Sequence, residues 1–213
     1  MTKLQAMIIP VTPFQQNCAL VFDDDTKVGA IVDPGGDVPR ILDAIKQSGV
    51  NVEKILLTHG HIDHAGGAAE LREALGVKIE GPHPEDTFLL ETLAEVGREY
   101  GMTDARPVTP DRWLEEGDTV TVGGLTFAVY EAPGHTPGSV MFFNDENRFA
   151  LMGDVLFQGS IGRTDFPRGD HETLLRSIRE KIFPLGDDVV FLPGHGGPST
   201  VGRERETNPF LNG

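Results

Sequence analysis

The sequence predicts an α/β protein in which two β-sheets pack face to face and helices cover their outer faces. Short apolar runs typical of strands alternate with segments whose apolar residues have helical spacing. Strands dominate the start of each half of the chain, and a mixture of helices and strands follows. Such elements bury their apolar faces by packing in layers. The chain has 213 residues without an internal repeat or long linker, so one domain, 1–213, is predicted.

In the first half, strands and helices alternate up to Gly101. A helix is predicted from residue 38 to Gly49 and another from residue 68 to Gly76, because glycine commonly ends a helix. The predicted strands lie at 7–11, 18–22, 28–32, 52–57 and 77–79. A third helical stripe contains Leu89, Leu93, Val96 and Tyr100. The helix that bears the first three is predicted to pack on the core, and a cover over the cleft is the alternative.

The second half is richer in strands. Gly123 and Gly124 separate two apolar runs and predict a hairpin. The predicted strands lie at 119–122, 125–130, 140–143, 149–152 and 189–192, the last being the final strand. One helix face is predicted from Leu174, Leu175, Ile178 and Ile182.

Composition narrows the classes of function. The formal net charge of −15 argues against nucleic acid or an anionic membrane as a partner, since both attract basic surfaces. No apolar run in the sequence is long enough for a membrane span. Cys18 is the single cysteine, which excludes an internal disulfide and makes the reducing cytoplasm the expected location. Its side chain is predicted to be a small buried apolar group.

The densest chemical signal is the motif Thr-His-Gly-His-Ile-Asp-His at 58–64, which directly follows a predicted strand. It contains His59, His61, Asp63 and His64. Neutral imidazole and carboxylate are the ligands that zinc and similar divalent metals prefer, so the motif predicts a metal site. Asp63 could instead cap the helix that follows, but its three histidine neighbours favour a ligand.

Three further candidate ligands follow other strands: His135 in Pro-Gly-His-Thr-Pro-Gly, Asp154 after a glycine, and His195 in Pro-Gly-His-Gly. Loops beside rigid strands commonly carry reactive sites, and glycine lets the backbone approach an ion. The alternatives are hydrogen-bonded loop histidines and a turn aspartate. His83 and His171 lack such a setting and are predicted to have surface or capping roles.

Seven candidate ligands suffice for two metal ions. Asp154 and a hydroxide are predicted to bridge the ions, because a metal pair needs a shared anion. Metal binding lowers the pKa of water to about 7, so Asp63 and Asp154 are predicted to be catalytic through metal-bound hydroxide. Each ion keeps room for solvent or substrate, as a catalytic site requires. The assignment is His59, His61 and His135 for one ion, and Asp63, His64 and His195 for the other.

These residues resemble the metallo-β-lactamase superfamily, whose metal signature is His-x-His-x-Asp-His followed by a distant His, Asp and His. The resemblance runs through essentially the whole chain and implies the αββα sandwich, a four-layer fold. Within the superfamily the chain is most similar to the short bacterial form of glyoxalase II, the hydroxyacylglutathione hydrolases. The stretches that carry this similarity are 32–36, 133–138, 162–170 and 208–211.

The similarity implies hydrolysis of S-D-lactoylglutathione to glutathione and D-lactate, which detoxifies the methylglyoxal adduct. It implies two divalent metal ions, zinc in the first place, although iron or manganese suits the same ligands. The thioester carbonyl would bind the metal held by His59, His61 and His135, and the bridging hydroxide would attack it. The expected partner is therefore a small glutathione thioester. The sequence predicts no oligomeric state.

Arg163 matches a basic residue of the family and is predicted to bind a carboxylate of glutathione, with a salt bridge to Asp165 as the alternative. Arg168 is a weaker candidate with a structural alternative. Asp33, at a strand end, is predicted to orient the histidine loop, and a turn role is its alternative. Long glyoxalase II enzymes have a C-terminal helical region that contributes basic residues to glutathione, and this region is expected to be absent or reduced here.

A different reaction class shares the same ligands. Persulfide dioxygenases of the superfamily also contain a Gly-Arg-Thr-Asp-Phe stretch, found here at 162–166, and would hold a single iron on His59, His135 and Asp154. Lactonase or β-lactamase activity is a further hydrolytic alternative. A non-enzymatic metal-binding role is disfavoured, because all seven ligand positions are occupied by metal-binding side chains.

Overall fold

The computed structural model describes residues 3–212 and contains two mixed β-sheets with helices on their outer faces. Of the predicted domain 1–213, Met1, Thr2 and Gly213 lie outside the described residues. Among residues 3–212, no helix combines the length and the apolar character that a bilayer crossing requires.

The first sheet has the strand order β1-β2-β3-β4-β5. The first three strands are antiparallel, and the last two pair in parallel because helices connect them. The strands are β1 (Leu4–Val11), β2 (Gln16–Asp23), β3 (Val28–Val32), β4 (Asn51–Leu56) and β5 (Lys78–Glu80). The helices of this half are α1 (Val38–Ser48), α2 (Ile62–Ala65), α3 (Ala68–Leu75), α4 (Thr87–Glu91) and α5 (Leu93–Glu99), with a 3-10 turn at Pro84–Asp86 before α4.

The second half begins with β6 (Thr119–Val122), β7 (Leu125–Glu131), β8 (Val140–Asn144) and β9 (Phe149–Gly153), followed by a small hairpin of β10 (Leu156–Phe157) and β11 (Ser160–Ile161). Then come α6 (His171–Ser177), a π turn (Ile178–Ile182), a 3-10 turn (Phe183–Leu185), β12 (Val190–Pro193), β13 (Ser199–Thr200) and α7 (Val201–Thr207). The second sheet has the order β13-β12-β9-β8-β7-β6.

Alternating side chains on the strands fill three apolar layers. On β2, Ala19 and Val21 face the second sheet, where they share a buried cluster with Phe127, whereas Cys18 and Leu20 pack under the helices. This alternation follows from the two-residue period of a strand. A third cluster joins the outer face of the second sheet to α6 and α7. The layers are therefore helix, sheet, sheet and helix, which confirms the predicted αββα sandwich, and Cys18 is buried as predicted.

Most predicted elements are present with shifted ends, but two predictions are wrong. The helical stripe from Leu89 to Tyr100 is not one helix, because the helix is interrupted at Thr92. The Thr92 hydroxyl donates to the carbonyls of Phe88 and Leu89 at 3.0 and 3.1 Å. Tyr100 is 50% exposed rather than part of the core. The strand predicted at 189–192 is not the last, since β13 and α7 follow it.

Candidate metal centre

The predicted ligands lie on loops that leave the ends of strands. The parallel pairing of β9 with β12 brings the ends of these two strands to the same edge of the second sheet. The amide of Val140 donates to the carbonyl of Thr58 at 2.8 Å and joins the first sheet to the second at the same place. His59 and His61 follow β4, Asp63 and His64 lie in α2, and His135, Asp154 and His195 follow β7, β9 and β12.

The first ligand group consists of His59, His61 and His135. Each offers one nitrogen, and these three nitrogens lie within 4.8 Å of one another. His61 Nδ1 is 2.9 Å from His135 Nε2, and the ring centroids of His59 and His135 are 4.9 Å apart. Three imidazole nitrogens at this spacing match the open three-ligand sites of catalytic zinc.

The second ligand group consists of Asp63, His64 and His195, whose ligand atoms also lie within 4.8 Å of one another. Asp63 Oδ2 is 3.0 Å from His195 Nε2 and 3.8 Å from His64 Nε2. In this structure the N-cap of α2 is His61, and Asp63 lies in the first turn with its carboxylate toward His195. The helix-capping alternative for Asp63 is therefore not what the geometry shows.

Asp154 lies between the two groups. Its Oδ2 atom is 3.6 Å from Nε2 of His135 in the first group and 3.6 Å from Nε2 of His195 in the second. Its Oδ1 atom is 3.3 Å from Nε2 of His64. A Cβ atom at Gly194 would lie 2.1 Å from Asp154 Oδ1, so the close approach of the His195 loop requires glycine. Asp154 thus occupies the position of a carboxylate shared by two sites.

The first ligand group is kept electrically neutral. Burial, followed by the neighbouring imidazoles, holds the pKa of His59 well below its usual range. Burial and then His135 lower the pKa of His61 to about 3. Burial also lowers the pKa of His135. Neutral imidazoles present free lone pairs, which is the state that binds a metal.

The second ligand group instead favours positive charge. Burial alone would lower the pKa of His64, but Asp154, Asp63 and Asp33 outweigh burial and raise it well above the usual value. Burial would raise the pKa of Asp63 and of Asp154, yet His64 and the other histidines lower both. A divalent cation at this position would satisfy the same carboxylates that favour a proton on His64.

Asp33 contacts the histidine loop, and its role in orienting that loop stays a prediction. Its carboxylate accepts hydrogen bonds from the Thr58 amide at 2.7 Å, the Thr58 hydroxyl at 2.6 Å and His64 Nδ1 at 2.9 Å. The Thr58 hydroxyl lies 3.1 Å from His59 Nδ1. These contacts commit the Nδ1 atoms of His59 and His64 and leave both Nε2 atoms for a ligand. Asp33 could itself group with His59 and His64, but its oxygens are already used by three donors.

Unpartnered atoms test whether these residues fit metal ions. Among the described residues, the buried atoms without a hydrogen-bond partner include His59 Nε2, His64 Nε2 and Asp154 Oδ1. Buried polar atoms of folded proteins are normally satisfied, and leaving one unpaired costs roughly 1–3 kcal/mol. These atoms lie close together: His64 Nε2 is 3.3 Å from Asp154 Oδ1, and the rings of His59 and His64 have their centroids 4.0 Å apart. The donor set and its unpartnered atoms therefore fit divalent cations.

Arg163 contributes its backbone to the site. His135 Nδ1 donates to the Arg163 carbonyl at 2.7 Å, which turns His135 Nε2 toward Asp154. The Arg163 guanidinium forms two hydrogen bonds to Asp165, at 2.9 and 2.7 Å, and lies 4.6 Å from the ring centroid of Phe166. The predicted alternative, a salt bridge with Asp165, is thus present, and the substrate role of Arg163 stays a prediction.

The other sequence candidates lie outside the two ligand groups. The Arg168 guanidinium stacks 4.1 Å from the ring centroid of Phe88, in line with its structural alternative. His83 accepts a hydrogen bond from the amide of Glu85 at 3.2 Å and so caps the 3-10 turn, as predicted. His171 is the first residue of α6.

Two polar residues of the site were missed by sequence reasoning. Thr58 directly precedes His59, and its position at the strand end beside the motif was a usable signal. Asp86 accepts hydrogen bonds from the Gly60 amide, the Thr136 hydroxyl and the Gly138 amide, so it contacts both histidine loops of the first ligand group. Nothing around Asp86 in the sequence marks this role.

Comparisons with known proteins agree with this geometry. A sequence model described as the metallo-beta-lactamase superfamily matches residues 11–195, which include all seven predicted ligands. The hydroxyacylglutathione hydrolase GloC of Haemophilus influenzae is 49% identical over 206 residues, which cover 96% of this chain and 97% of that protein. The predicted resemblance to glyoxalase II is therefore confirmed.

Solved structures share the fold. The crystal structure of the BLEG-1 B3 metallo-beta-lactamase matches with a TM-score of 0.90 and 37% identity, and the match covers 98% of this chain and 100% of the BLEG-1 chain. The crystal structure of TTHA1623 in a di-iron-bound form matches with a TM-score of 0.87 and 36% identity, covering 96% of this chain and 100% of the other. The chain belongs to the metallo-beta-lactamase superfamily.

Proposed function

We propose that this protein hydrolyses glutathione thioesters with the help of two divalent metal ions, and that its substrate is S-D-lactoylglutathione, which yields glutathione and D-lactate. The observation that carries the proposal is the position of Asp154, whose Oδ2 atom is 3.6 Å from both His135 and His195. A carboxylate placed between two ligand groups suits a pair of ions. The likeness to GloC, named as a hydroxyacylglutathione hydrolase, supports the thioester as substrate.

The two ligand groups would each hold one ion, with Asp154 shared between them. When bound, the ions would polarise the thioester carbonyl and make hydroxide available near neutral pH. We propose zinc, because imidazole and carboxylate are its ordinary ligands, although iron and manganese accept the same set. TTHA1623 was solved with two irons, which supports two ions in such a site.

The protein groups supply orientation and charge. His59 and His61 are neutral, so their lone pairs are available without loss of a proton. Asp63 and Asp154 stay ionised because their pKa values are lowered, and their oxygens can accept hydrogen bonds from a water molecule held between the ligand groups. Asp33 fixes the rings of the histidines, which reduces the rearrangement needed during reaction.

Phe166 and Arg163 form one wall of the site. The Phe166 ring lies 4.9 Å from the ring of His61 and 5.7 Å from that of His135, so it covers the first ligand group with an apolar surface. The Arg163 guanidinium lies 4.6 Å from the centroid of the same ring and is exposed. We propose that its guanidinium exchanges Asp165 for a carboxylate of glutathione, which would place the thioester beside His61.

We also propose a cytoplasmic location and a role in methylglyoxal detoxification. The buried thiol of Cys18 is free, as is usual in a reducing compartment, and such a compartment also keeps glutathione reduced. The substrate would be the thioester that arises by isomerisation of the hemithioacetal of methylglyoxal and glutathione.

Turnover of matched substrates tests the proposal. The zinc-loaded protein is assayed with S-D-lactoylglutathione, with the lactoyl thioester of N-acetylcysteamine, which lacks both glutathione carboxylates, and with benzylpenicillin. We expect kcat/KM to be highest for lactoylglutathione, by at least about tenfold over the truncated thioester, because charged contacts contribute roughly 1.5–3 kcal/mol each. Faster hydrolysis of benzylpenicillin would favour a β-lactamase, the activity for which BLEG-1 is named. One iron per chain with oxygen uptake on glutathione persulfide would replace the proposal with the dioxygenase alternative.

A further inference from the structure

Asp86 is a fully buried carboxylate, 0% exposed, that belongs to neither ligand group. It ends the 3-10 turn at Pro84–Asp86, just before α4. Its Oδ2 atom accepts hydrogen bonds from the Gly60 amide at 2.8 Å and the Thr136 hydroxyl at 2.9 Å, and its Oδ1 atom accepts one from the Gly138 amide at 2.7 Å. Three donors therefore share one buried carboxylate.

These donors come from two different loops. Gly60 lies between His59 and His61, and Thr136 directly follows His135. Asp86 consequently ties together the two loops that carry the first ligand group. The loop of His135 is pressed against it, since a Cβ atom at Gly138 would lie 2.6 Å from the Asp86 amide nitrogen and 2.7 Å from its Cγ.

Ordinary structural roles do not account for this placement. Asp86 occupies the N-cap position of α4, yet its side chain makes no capping hydrogen bond to that helix. Burial raises the pKa of Asp86 to about 6, so the fold opposes the charged form of this group. Burying a carboxylate is costly, but an apolar side chain at this position would leave the buried amides of Gly60 and Gly138 without this acceptor. Asp86 links the two loops by hydrogen bonds, which an apolar residue would not do.

We infer that Asp86 is a positioning residue, which sets the distance between the two histidine loops and thereby the geometry of the first ligand group. This inference rests on the proposed metal-dependent function. The second ligand group is held by other contacts: Asp33 binds His64 at 2.9 Å, and Asn17 Nδ2 binds the carbonyls of Pro193 and Gly196, at 3.0 and 2.8 Å, on either side of His195. Loss of Asp86 should therefore weaken the binding of the ion at the first ligand group and leave the binding of the other ion unchanged.

Cobalt titration of the metal-free protein tests this asymmetry, because Co²⁺ accepts zinc ligands and its visible spectrum reports the coordination geometry. Wild-type protein is expected to bind two equivalents. In Asp86→Ala, the cobalt ion at the second ligand group is expected to bind with unchanged affinity and spectrum. The cobalt ion at the first ligand group should bind about 10- to 100-fold more weakly, which is the usual effect of losing a group that orients ligands.

The matched control is Glu204→Ala. Glu204 is also a 0%-exposed carboxylate with several partners, including the Gly159 amide at 2.7 Å and Asn208 Nδ2 at 3.0 Å, but none of them neighbours a predicted ligand. It should keep both equivalents at wild-type affinity. If Asp86→Ala fails to fold, the pair Thr136→Val and Thr136→Ser decides: the valine variant should lose affinity at the first ligand group, and the serine variant should restore it.

Two results would overturn the inference. One is wild-type affinity for both cobalt equivalents in folded Asp86→Ala, or in Thr136→Val. The other is an equal loss in Glu204→Ala, since this would show a general effect of removing a buried carboxylate. A wild-type protein that binds no cobalt would instead overturn the proposed function itself.

Discussion

His64 Nε2 lies 3.3 Å from Asp154 Oδ1, while the other nitrogen of the same ring binds Asp33 at 2.9 Å. The two facing atoms have no hydrogen-bond partner. Positive charge is therefore favoured between them: a proton on Nε2 in the metal-free protein, in line with the raised pKa of His64, or a metal cation in its place. This contact links the orientation of the histidines to metal binding, and the first predictions follow from it.

Asp154→Ala should abolish thioester hydrolysis, by at least about 10³-fold, and leave a folded, metal-poor protein, because it removes the carboxylate shared by the two ligand groups. His59→Ala should do the same through the first group. Metal analysis, circular dichroism and turnover check both variants. His171→Ala is the control, since His171 is exposed at the start of α6 and outside both ligand groups, so the variant should keep the metal and the activity. Full turnover in either test variant would remove that residue from the site.

Asp33→Ala should weaken metal binding by about 10- to 100-fold without removing any ligand, because the Thr58 hydroxyl and His64 lose the acceptor that orients them. Thr58→Val should cause a smaller loss of metal affinity, since it removes the hydroxyl beside His59 Nδ1 but leaves the contact between Asp33 and His64 in place. Competition with a metal indicator measures both affinities. Wild-type affinity in Asp33→Ala would mean that the aspartate is only a turn residue.

Arg163→Ala should raise KM for lactoylglutathione more than it lowers kcat, because the guanidinium contacts the glutathione part and not the reacting carbonyl. Asp165→Asn should lower KM, since the neutral amide competes less well for the guanidinium that Asp165 holds at 2.7 and 2.9 Å. Steady-state kinetics on the zinc-loaded variants separates the two constants. An unchanged KM in Arg163→Ala would refute its role as a carboxylate clamp.

Asp86 should give the metal-free protein a measurable pH dependence of stability. Burial raises its pKa from 3.8 to about 6, so the folded state favours the protonated form. The contribution of this group to the free energy of unfolding is fully present below about pH 4 and is lost as the pH rises toward 6. A difference of about two pKa units corresponds to roughly 3 kcal/mol. The free energy of unfolding of wild type minus that of Asp86→Asn should fall over this range. A constant difference would contradict the raised pKa.

The layers of the fold and the convergence of the candidate ligands were predictable from the sequence for a physical reason. Strand and helix periodicities are local, and they predicted the two sheets and most of their strands. The ligands are concentrated in one motif and at three strand exits, where loops of a sandwich meet. The break at Thr92 escaped prediction because a single side-chain hydroxyl competes with the helix, and the period of the apolar residues carries no trace of it.

Asp86 escaped prediction because its partners are distant in sequence. Gly60 lies 26 positions away, and Thr136 and Gly138 lie 50 and 52 positions away. An isolated aspartate before a helix is typical of an N-cap, and only the tertiary structure shows that its side chain binds other loops. The side-chain pairing of Arg163 with Asp165 was predicted as an alternative, since only one residue separates them in the sequence.

Titration of zinc into the metal-free protein, with hydrolysis of S-D-lactoylglutathione followed at each addition, tests the central claim most directly. We predict no turnover without metal, a rise as zinc binds, and a plateau at two equivalents per chain. Turnover by protein shown to be free of metal, or zinc-saturated protein without thioester hydrolysis, would contradict it.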